Sequence, residues 1–191
     1  MKFFKIIRKV LFVFLKKIIC LMDYINPRLY MKNMNKLLKN MGIDIKGNPL
    51  FIHPSVWFDG VAYEKIHLAD KIVISKDVKL LVHDYSIARA IYAVNKSRSD
   101  GAEELFLKDI KIGENSFIGA GSIILYGTEI GKNVIVGAGS VIKGRIPDNS
   151  IVAGNPAQII GNTLELAERH IDMKDYIYLE QGEINETSKI K

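Results

Sequence analysis

The sequence predicts an all-β solenoid, a parallel β-helix in which short strands stack into coils. The main observation is a run of five consecutive six-residue repeats, or hexads, which read IGENSF, IGAGSI, ILYGTE, IGKNVI and VGAGSV from Ile112 to Val141. Gly is second in four of the five (Leu125 is the exception), and the fifth position is Ser, Thr or Val. This period is the signature of a β-helix in which three hexads complete one coil. The leading aliphatic residue of each hexad is predicted to point inward: Ile112, Ile118, Ile124, Ile130 and Val136.

The length and composition of the chain indicate one domain with an appended element. The chain has 191 residues, of which 48% are hydrophobic, and its single cysteine excludes an intramolecular disulfide and fits a reducing compartment. The net charge is +6, but residues 1–39 alone carry +9, which leaves −3 for the rest. Because the basic character belongs to the N-terminus, nucleic-acid binding by the domain is not predicted.

Residues 1–22 (MKFFKIIRKVLFVFLKKIICLM) predict an amphipathic helix. The apolar run is too interrupted for a membrane-spanning helix, and no small-residue cleavage site follows it. Two interpretations stay open: a helix on an anionic membrane surface, or a helix that packs on its own domain or a sister subunit. A helical wheel places four lysines on one side: Lys2, Lys5, Lys9 and Lys16. Broadly opposite them lie the apolar residues Phe3, Phe4, Ile7, Leu11, Phe14, Leu15 and Ile18.

A second amphipathic helix is predicted from Leu29 to Met41, with Gly42 as its C-cap. Its apolar side should cover the open end of the β-helix, because an uncapped coil exposes core and strand edges. The residues expected to do so are Leu29, Met34, Leu37, Leu38 and Met41.

Imperfect hexads begin near Ile43, and the β-helix is predicted over residues 43–161, after an N-terminal helical region over 1–42. The period is lost over residues 85–107, which must protrude as a loop because the flanking coils still have to stack. Asn155-Pro156 is expected to turn the chain out of the last coil. A short helix over 163–170, with Thr163 as a candidate N-cap, opens a C-terminal region over 162–191.

The segment LADKIVISKDVKLLVHDYS, together with IGENSFIGAGSIIL and IVAGNPAQII, resembles the hexapeptide-repeat acyltransferases. The resemblance is greatest to the maltose/galactoside acetyltransferase type and to polysaccharide O-acetyltransferases. It covers roughly residues 43–161 and implies a left-handed β-helix, acetyl-CoA as co-substrate, and a homotrimer with active sites between subunits. The loop, which bears Arg89, Lys96 and Arg98, would then contact a neighbouring subunit or an anionic acceptor.

The implied reaction moves an acetyl group from acetyl-CoA to a hydroxyl, which is a poor nucleophile near neutral pH and needs a base such as histidine. The resemblance places that base at His83, at the root of the loop, with direct attack and no acyl-enzyme. Asp84 is a second candidate catalytic residue. Asp59, Trp57 and Tyr85 are candidate contacts to a sugar acceptor.

The resemblance also implies a wall of small residues for the pantetheine arm and cations for the CoA phosphates. Relatives commonly carry Lys in a closing PAK motif and a KDIP corner, where this chain has Gln158 and Lys143-Gly144-Arg145, so Lys143 and Arg145 are the substitutes. The candidate cofactor-binding residues are Gly119, Ala120, Gly121, Ser122, Gly137, Ala138, Gly139, Ser140, Lys143, Arg145, Asn155 and Pro156.

The leading hypothesis is therefore an acetyl-CoA-dependent O-acetyltransferase without a metal, acting on a sugar of a surface polysaccharide or its lipid-linked precursor. We expect it in the cytoplasm, peripheral at the inner face of the membrane if residues 1–22 bind there. An N-acetyltransferase on an amino sugar and a catalytically silent scaffold remain alternatives. The zinc carbonic anhydrases that share the fold need three histidine ligands, and His83 has no companions at that spacing.

Overall fold

The chain forms a parallel β-helix whose coils stack three sheets, A, B and C. A computed structural model describes residues 2–94, 105–171, 179–180 and 183–184, with side chains for residues 10–94 and 105–171. Each coil adds one short strand to every sheet in turn, as the hexads predict. Sheet A contains β1 (Asp44–Ile45), β4 (Ile66–Leu68), β9 (Ile110–Ile112), β12 (Glu129–Ile130) and β15 (Arg145–Ile146). Sheet B contains β2 (Phe51–Ile52), β5 (Val73–Ile74), β10 (Phe117–Ile118), β13 (Ile135–Val136), β16 (Ser150–Gly154) and the antiparallel β17 (Ala157–Asn162). Sheet C contains β3 (Trp57–Phe58), β6 (Lys79–Leu80), β11 (Ile123–Ile124) and β14 (Val141–Ile142).

The prism interior is built from the first and fifth hexad positions. All five leading residues predicted to point inward are buried, so that prediction is confirmed. The fifth positions are buried as well, although three of them are Ser and one is Thr. Ser116, Ser122 and Thr128 donate to backbone carbonyls of the next coil, as Ser116 does to Gly131 at 2.9 Å and Thr128 to Ile142 at 3.2 Å. Ser140 donates within its own coil, to the Gly137 carbonyl. A buried hydroxyl is tolerated only when it is hydrogen-bonded, and these bonds meet that condition.

The outward faces of sheets A and B differ in chemistry. Sheet A carries a charged face in parallel register, formed by Asp44, His67, Lys111, Glu129 and Arg145. His67 and Asp44 lie 3.0 Å apart, and Lys111 and Glu129 lie 2.6 Å apart. Sheet B carries an apolar face in the same kind of register, formed by Phe51, Val73, Phe117, Ile135 and Ile151.

Helix α2 (Pro27–Met41) closes the first coil, as predicted. Asn26 caps its start by accepting a hydrogen bond from the Leu29 N–H at 2.9 Å, and Gly42 ends it with φ 107°. The Tyr30 hydroxyl donates to the Ile52 carbonyl of sheet B. The prediction for Leu29 is wrong because that side chain is exposed. The side chains buried against the coil are instead Tyr30, Met31, Met34, Leu37 and Leu38.

Helix α1 (Lys2–Leu21) packs on the first coil and on α2, which it reaches through a 3₁₀ turn at Met22–Tyr24. Phe12 is buried, and Lys16 is half-buried and donates to the Val56 carbonyl at 2.8 Å. The Lys16 side chain therefore packs on the domain, where its neighbours are a backbone carbonyl and the Phe58 ring. No described helix is long and apolar enough to cross a membrane. Over residues 10–21, the part of α1 whose side chains are described, the exposed apolar residues are Val10, Leu11, Val13, Phe14, Leu15, Ile18 and Leu21.

The predicted protrusion leaves the β-helix between sheets C and A. Strand β7 (His83–Asp84) pairs antiparallel with β8 (Phe106–Leu107) at its root, and a 3₁₀ turn at Tyr63–Lys65 precedes the same sheet one coil earlier. Helix α3 (Ser86–Val94) follows β7, so part of the predicted loop is helical. Arg89 lies in this helix, whereas Lys96 and Arg98 lie outside the described residues.

The C-terminal region begins with β17 and α4. Helix α4 (Thr163–His170) is capped by Asn162, whose side chain accepts from Leu164 N–H at 2.8 Å, so Thr163 is its first residue and not its cap. A two-stranded antiparallel pair follows, β18 (Leu179–Glu180) with β19 (Glu183–Ile184).

Candidate active site

The candidate site lies where the chain passes from sheet C to sheet A, an edge of the prism that we call the C–A edge. Strands β3 and β6 pair in register, with Phe58 beside Leu80. The residues that follow these strands are therefore neighbours, although they are 24 positions apart. This stacking brings Asp59 beneath His83.

Asp59 holds the imidazole of His83 in one orientation. The His83 Nδ1 donates to Asp59 Oδ2, the same oxygen accepts from the Val82 N–H at 3.1 Å, and Asp59 Oδ1 accepts from the Val61 N–H at 3.1 Å. The carboxylate is 1% exposed, so it holds the histidine and is not available for the predicted acceptor contact. With the proton on Nδ1, the Nε2 lone pair is free to accept a proton. The His83 side chain is 21% exposed, which leaves Nε2 within reach of a substrate.

Asp84 is turned away from the imidazole, as expected for a neighbour on a strand. Its carboxylate accepts from the Ser86 N–H at 2.7 Å and the Ser86 hydroxyl at 2.9 Å, which anchors the start of α3. These two bonds, followed by one from Tyr126, hold the pKa of Asp84 below its usual range. Tyr85 packs edge-on against the His83 ring, with ring centroids 5.2 Å apart, and remains partly exposed beside it.

Lys143 continues the same edge two coils beyond His83. Its Nζ donates to the Tyr126 hydroxyl at 3.1 Å and lies 4.7 Å from the centre of that ring. Tyr126 also helps to hold the pKa of Asp84 below its usual range. Lys143, Tyr126 and Asp84 therefore form a polar group along the edge that bears the histidine. Sequence reasoning missed Tyr126, which occupies an ordinary third position of its hexad.

The candidate cofactor wall lies on another edge, between sheets B and C, which we call the B–C edge. The segments 119–122 and 137–140 stack there, with the Gly139 N–H donating to the Ala120 carbonyl at 2.8 Å. The β16–β17 turn, which contains Asn155 and Pro156, closes this stack. Ala120, Gly121, Ala138 and Gly139 are exposed along the edge.

Ser122 and Ser140 differ from the prediction because both side chains are buried. Each donates its hydroxyl to the Gly137 carbonyl, at 3.1 and 2.6 Å, and so fixes the corner from inside. Within one chain, sheet C separates the B–C edge from His83. The single subunit therefore does not bring the predicted cofactor wall to the predicted base.

Two further candidates lie apart from both edges. Arg145 projects from sheet A, across from Glu129 on the charged face. Trp57 projects from sheet C with 48% of its surface exposed and lines a groove beneath α1. In the part of the chain that the structure describes, neither side chain forms a hydrogen bond or ion pair with His83 or Asp59.

The hexad pattern gave no signal that Asp59 would hold His83. Its partner sits one coil later, but the paired positions Trp57 and Lys79 are offset by 22 residues, because the 3₁₀ turn at Tyr63–Lys65 enlarges that coil. A count of regular hexads therefore does not align Asp59 with His83.

Among the described residues, no three His, Cys, Asp or Glu side chains are grouped to hold a metal ion.

Comparison with known proteins agrees with this architecture. Residues 109–144 match the protein-family model described as Bacterial transferase hexapeptide (six repeats). No curated protein matches the sequence. A galactoside acetyltransferase in complex with coenzyme A superposes with a TM-score of 0.53 at 24% identity, over 78% of each chain. A hexapeptide-repeat-containing acetyltransferase from Vibrio cholerae gives a TM-score of 0.53 at 19% identity, over 78% of this chain and 88% of that one. The chain therefore has the left-handed β-helix fold, with a hexapeptide repeat at its centre.

Proposed function

We propose that this protein is an acetyl-CoA-dependent O-acetyltransferase that acts on a sugar hydroxyl of a surface polysaccharide or its precursor. The observation that carries the proposal is the His83–Asp59 pair, a histidine with a free Nε2 held by a buried carboxylate at the root of the protrusion. The fold supports it, because a structural neighbour is a galactoside acetyltransferase with coenzyme A bound.

In the proposed mechanism, His83 acts as the general base. Its Nε2 takes the proton of the acceptor hydroxyl while that oxygen attacks the acetyl carbonyl carbon. The tetrahedral intermediate collapses, the carbon–sulfur bond breaks, and the imidazolium returns the proton to the departing CoA thiolate. Asp59 keeps the proton on Nδ1 throughout and stabilises the transient positive charge on the ring. The oxyanion is held by a backbone N–H of a neighbouring coil.

The two edges become one site if subunits associate. The base lies on the C–A edge and the candidate pantetheine wall on the B–C edge, so a homotrimer would set the base of one subunit against the wall of the next. The apolar face on sheet B supports such packing, since a continuous row of partly exposed apolar side chains is typical of an interaction surface. Two residues were candidates for contacting the CoA phosphates. We keep Lys143 in the proposal because it lies on the same edge as His83, and we drop Arg145 because it faces Glu129.

Thiol release from acetyl-CoA over a panel of sugars and amino sugars tests the proposal, with wild type compared to His83→Ala. We expect activity on at least one hydroxyl acceptor and a loss of about 10²–10⁴-fold in the variant. Equal turnover by both proteins would remove His83 from the mechanism. Activity confined to amino sugars would favour N-acetylation, and inactivity on every acceptor would favour a scaffold.

A further inference from the structure

A groove lies between α1 and the outer side of the first coil, next to the candidate site. It encloses about 670 Å³, within the size range of small-molecule sites. Its walls are mainly apolar and aromatic, and two lysines of α1 complete them. The residues that matter here are Val13, Phe14, Lys16, Lys17, Trp57 and Tyr63.

One end of this groove lies next to Asp59, the residue that holds the base. Phe58 lines the groove and directly precedes Asp59. The pKa of the groove residue Tyr63 is raised first by burial and then by the nearby charge of Asp59. The coil that bears His83 stacks directly on this coil, and stacked strands are about 4.8 Å apart. A molecule in the groove therefore ends about one coil from the proposed base.

Lys16 places a cation at that end. Its Nζ donates to the Val56 carbonyl at 2.8 Å and lies 5.7 Å from the centre of the Phe58 ring. Among the described residues, no carboxylate forms an ion pair with it. Burial lowers the pKa of this ammonium, so an anionic partner would stabilise its charged form. Lys17 is exposed at the same groove.

We propose that this groove binds the hydrocarbon chain of a lipid-phosphate-linked saccharide, with its phosphate at Lys16 and its sugar at His83. The apolar walls match the chain, the lysine matches the phosphate, and the adjacency of the groove to Asp59 delivers the sugar to the base. The inference rests on the proposed function and names the class of acceptor that this site would take.

Binding can be measured without turnover, because the only tryptophan of the chain, Trp57, lines the groove. The probe is farnesyl phosphate, titrated into the full-length protein below its aggregation limit, with farnesol and inorganic phosphate as comparison ligands. We expect a saturable change in Trp57 fluorescence with farnesyl phosphate, a weaker one with farnesol and none with inorganic phosphate. His83→Ala should bind the probe like wild type.

Two exposed valines of α1 give a matched pair of variants. Val13 lines the groove and Val10 does not. Val13→Glu should weaken farnesyl phosphate binding by at least about tenfold, because it places a carboxylate in the apolar groove, whereas Val10→Glu should not. Lys16→Met should weaken binding of farnesyl phosphate and leave that of farnesol unchanged.

Three results would overturn the inference: no saturable fluorescence change, equal weakening by Val10→Glu and Val13→Glu, or a Val13→Glu variant whose oligomeric state changes. The second would indicate general adsorption of lipid to α1, and the third would indicate a second copy of the chain in the groove. If the probe binds and no sugar is acetylated, the proposed function fails. If sugars are acetylated and the probe does not bind, only this inference fails.

Discussion

The orientation of a single imidazole decides what this site can do. A histidine on a solvent-facing edge exchanges tautomers and rotates, and a base that spends time with its proton on the wrong nitrogen is ineffective. Here Asp59 accepts from Nδ1 and is itself fixed by the N–H groups of Val61 and Val82. The carboxylate is thus a positioning residue that needs no contact with substrate.

Asp59→Asn should lower kcat by at least about 10²-fold, because an amide can present its N–H₂ to Nδ1 and favour the wrong tautomer. The KM for acetyl-CoA should change little, since the candidate cofactor wall is on another edge. Steady-state kinetics with the best acceptor checks this split. The matched control is Asp84→Asn. Because the Asp84 carboxylate bonds Ser86 at the start of α3, we expect this variant to change the KM for the acceptor more than kcat. Equal kcat losses would contradict the assignment of Asp59.

Tyr30 gives a pH dependence with a defined sign. Burial raises the pKa of its phenol, whose ordinary value is 10.0. The unfolded chain can ionise Tyr30 above about pH 10, whereas the folded chain keeps it neutral. Its contribution to stability is therefore complete below that pH and is lost as pH rises above it.

Urea unfolding of wild type and Tyr30→Phe between pH 8 and 11 tests this. At pH 8 the variant should be less stable by about 1–3 kcal/mol, because the Ile52 carbonyl loses its donor. Above pH 10 the difference should shrink by up to about 1.4 kcal/mol per pH unit, since only wild type must keep a phenol protonated. A difference that stays constant across the range would show that Tyr30 ionises freely in the fold.

At the scale of elements, the B–C edge depends on glycines for two separate reasons. A Cβ on Gly119 would lie 2.6 Å from both the Ala138 nitrogen and the Val136 oxygen, which are backbone atoms that cannot move aside. Gly121 has φ +70° and nothing within 4 Å of the added atom. The first glycine permits stacking of coils, and the second permits the turn itself.

Gly119→Ala should therefore destabilise the fold by about 3 kcal/mol or more through overpacking. Gly121→Ala should cost only about 1–2 kcal/mol, the strain of a left-handed residue. Denaturant midpoints at constant m-value measure both. Similar losses for the two variants would mean that the coils separate to admit a methyl group.

The strands and their inward residues could be predicted from the sequence because the hexad period links position directly to side-chain direction. Helix α2 was predicted from its amphipathic pattern and its glycine C-cap, but its buried side is rotated so that Tyr30 and not Leu29 faces the coil. The Asp59–His83 contact and the side of α1 that packs could not be predicted. Both depend on how an irregular first coil aligns with its neighbours, and periodicity carries no information about such a coil.

At the scale of the whole molecule, the two sheet faces suggest how copies of the chain meet. The apolar face on sheet B is continuous over five strands, while the charged face on sheet A pairs its own charges across coils. Burying the first gains hydrophobic stabilisation, whereas burying the second would desolvate ions.

Ile135→Lys should convert the proposed trimer to monomers and abolish acetyl transfer, because it places a charge at the centre of the apolar face. Lys111→Gln on the charged face is the control and should leave the trimer intact. Sedimentation velocity at several protein concentrations, paired with activity on the same samples, distinguishes the outcomes. A monomeric wild type with full activity would exclude a site shared between subunits.

The reversal of β17 has a consequence beyond closing a sheet. Parallel strands stacked in register are a template, and each exposed terminal strand of such a stack can recruit another chain and grow into a fibre. In sheet B the last parallel strand, β16, is occupied by a strand of its own chain running the opposite way, while α2 covers the other end. The molecule thereby keeps the repeat geometry of a fibre but has a fixed number of coils. The segment after Gly154 prevents another chain from adding to β16.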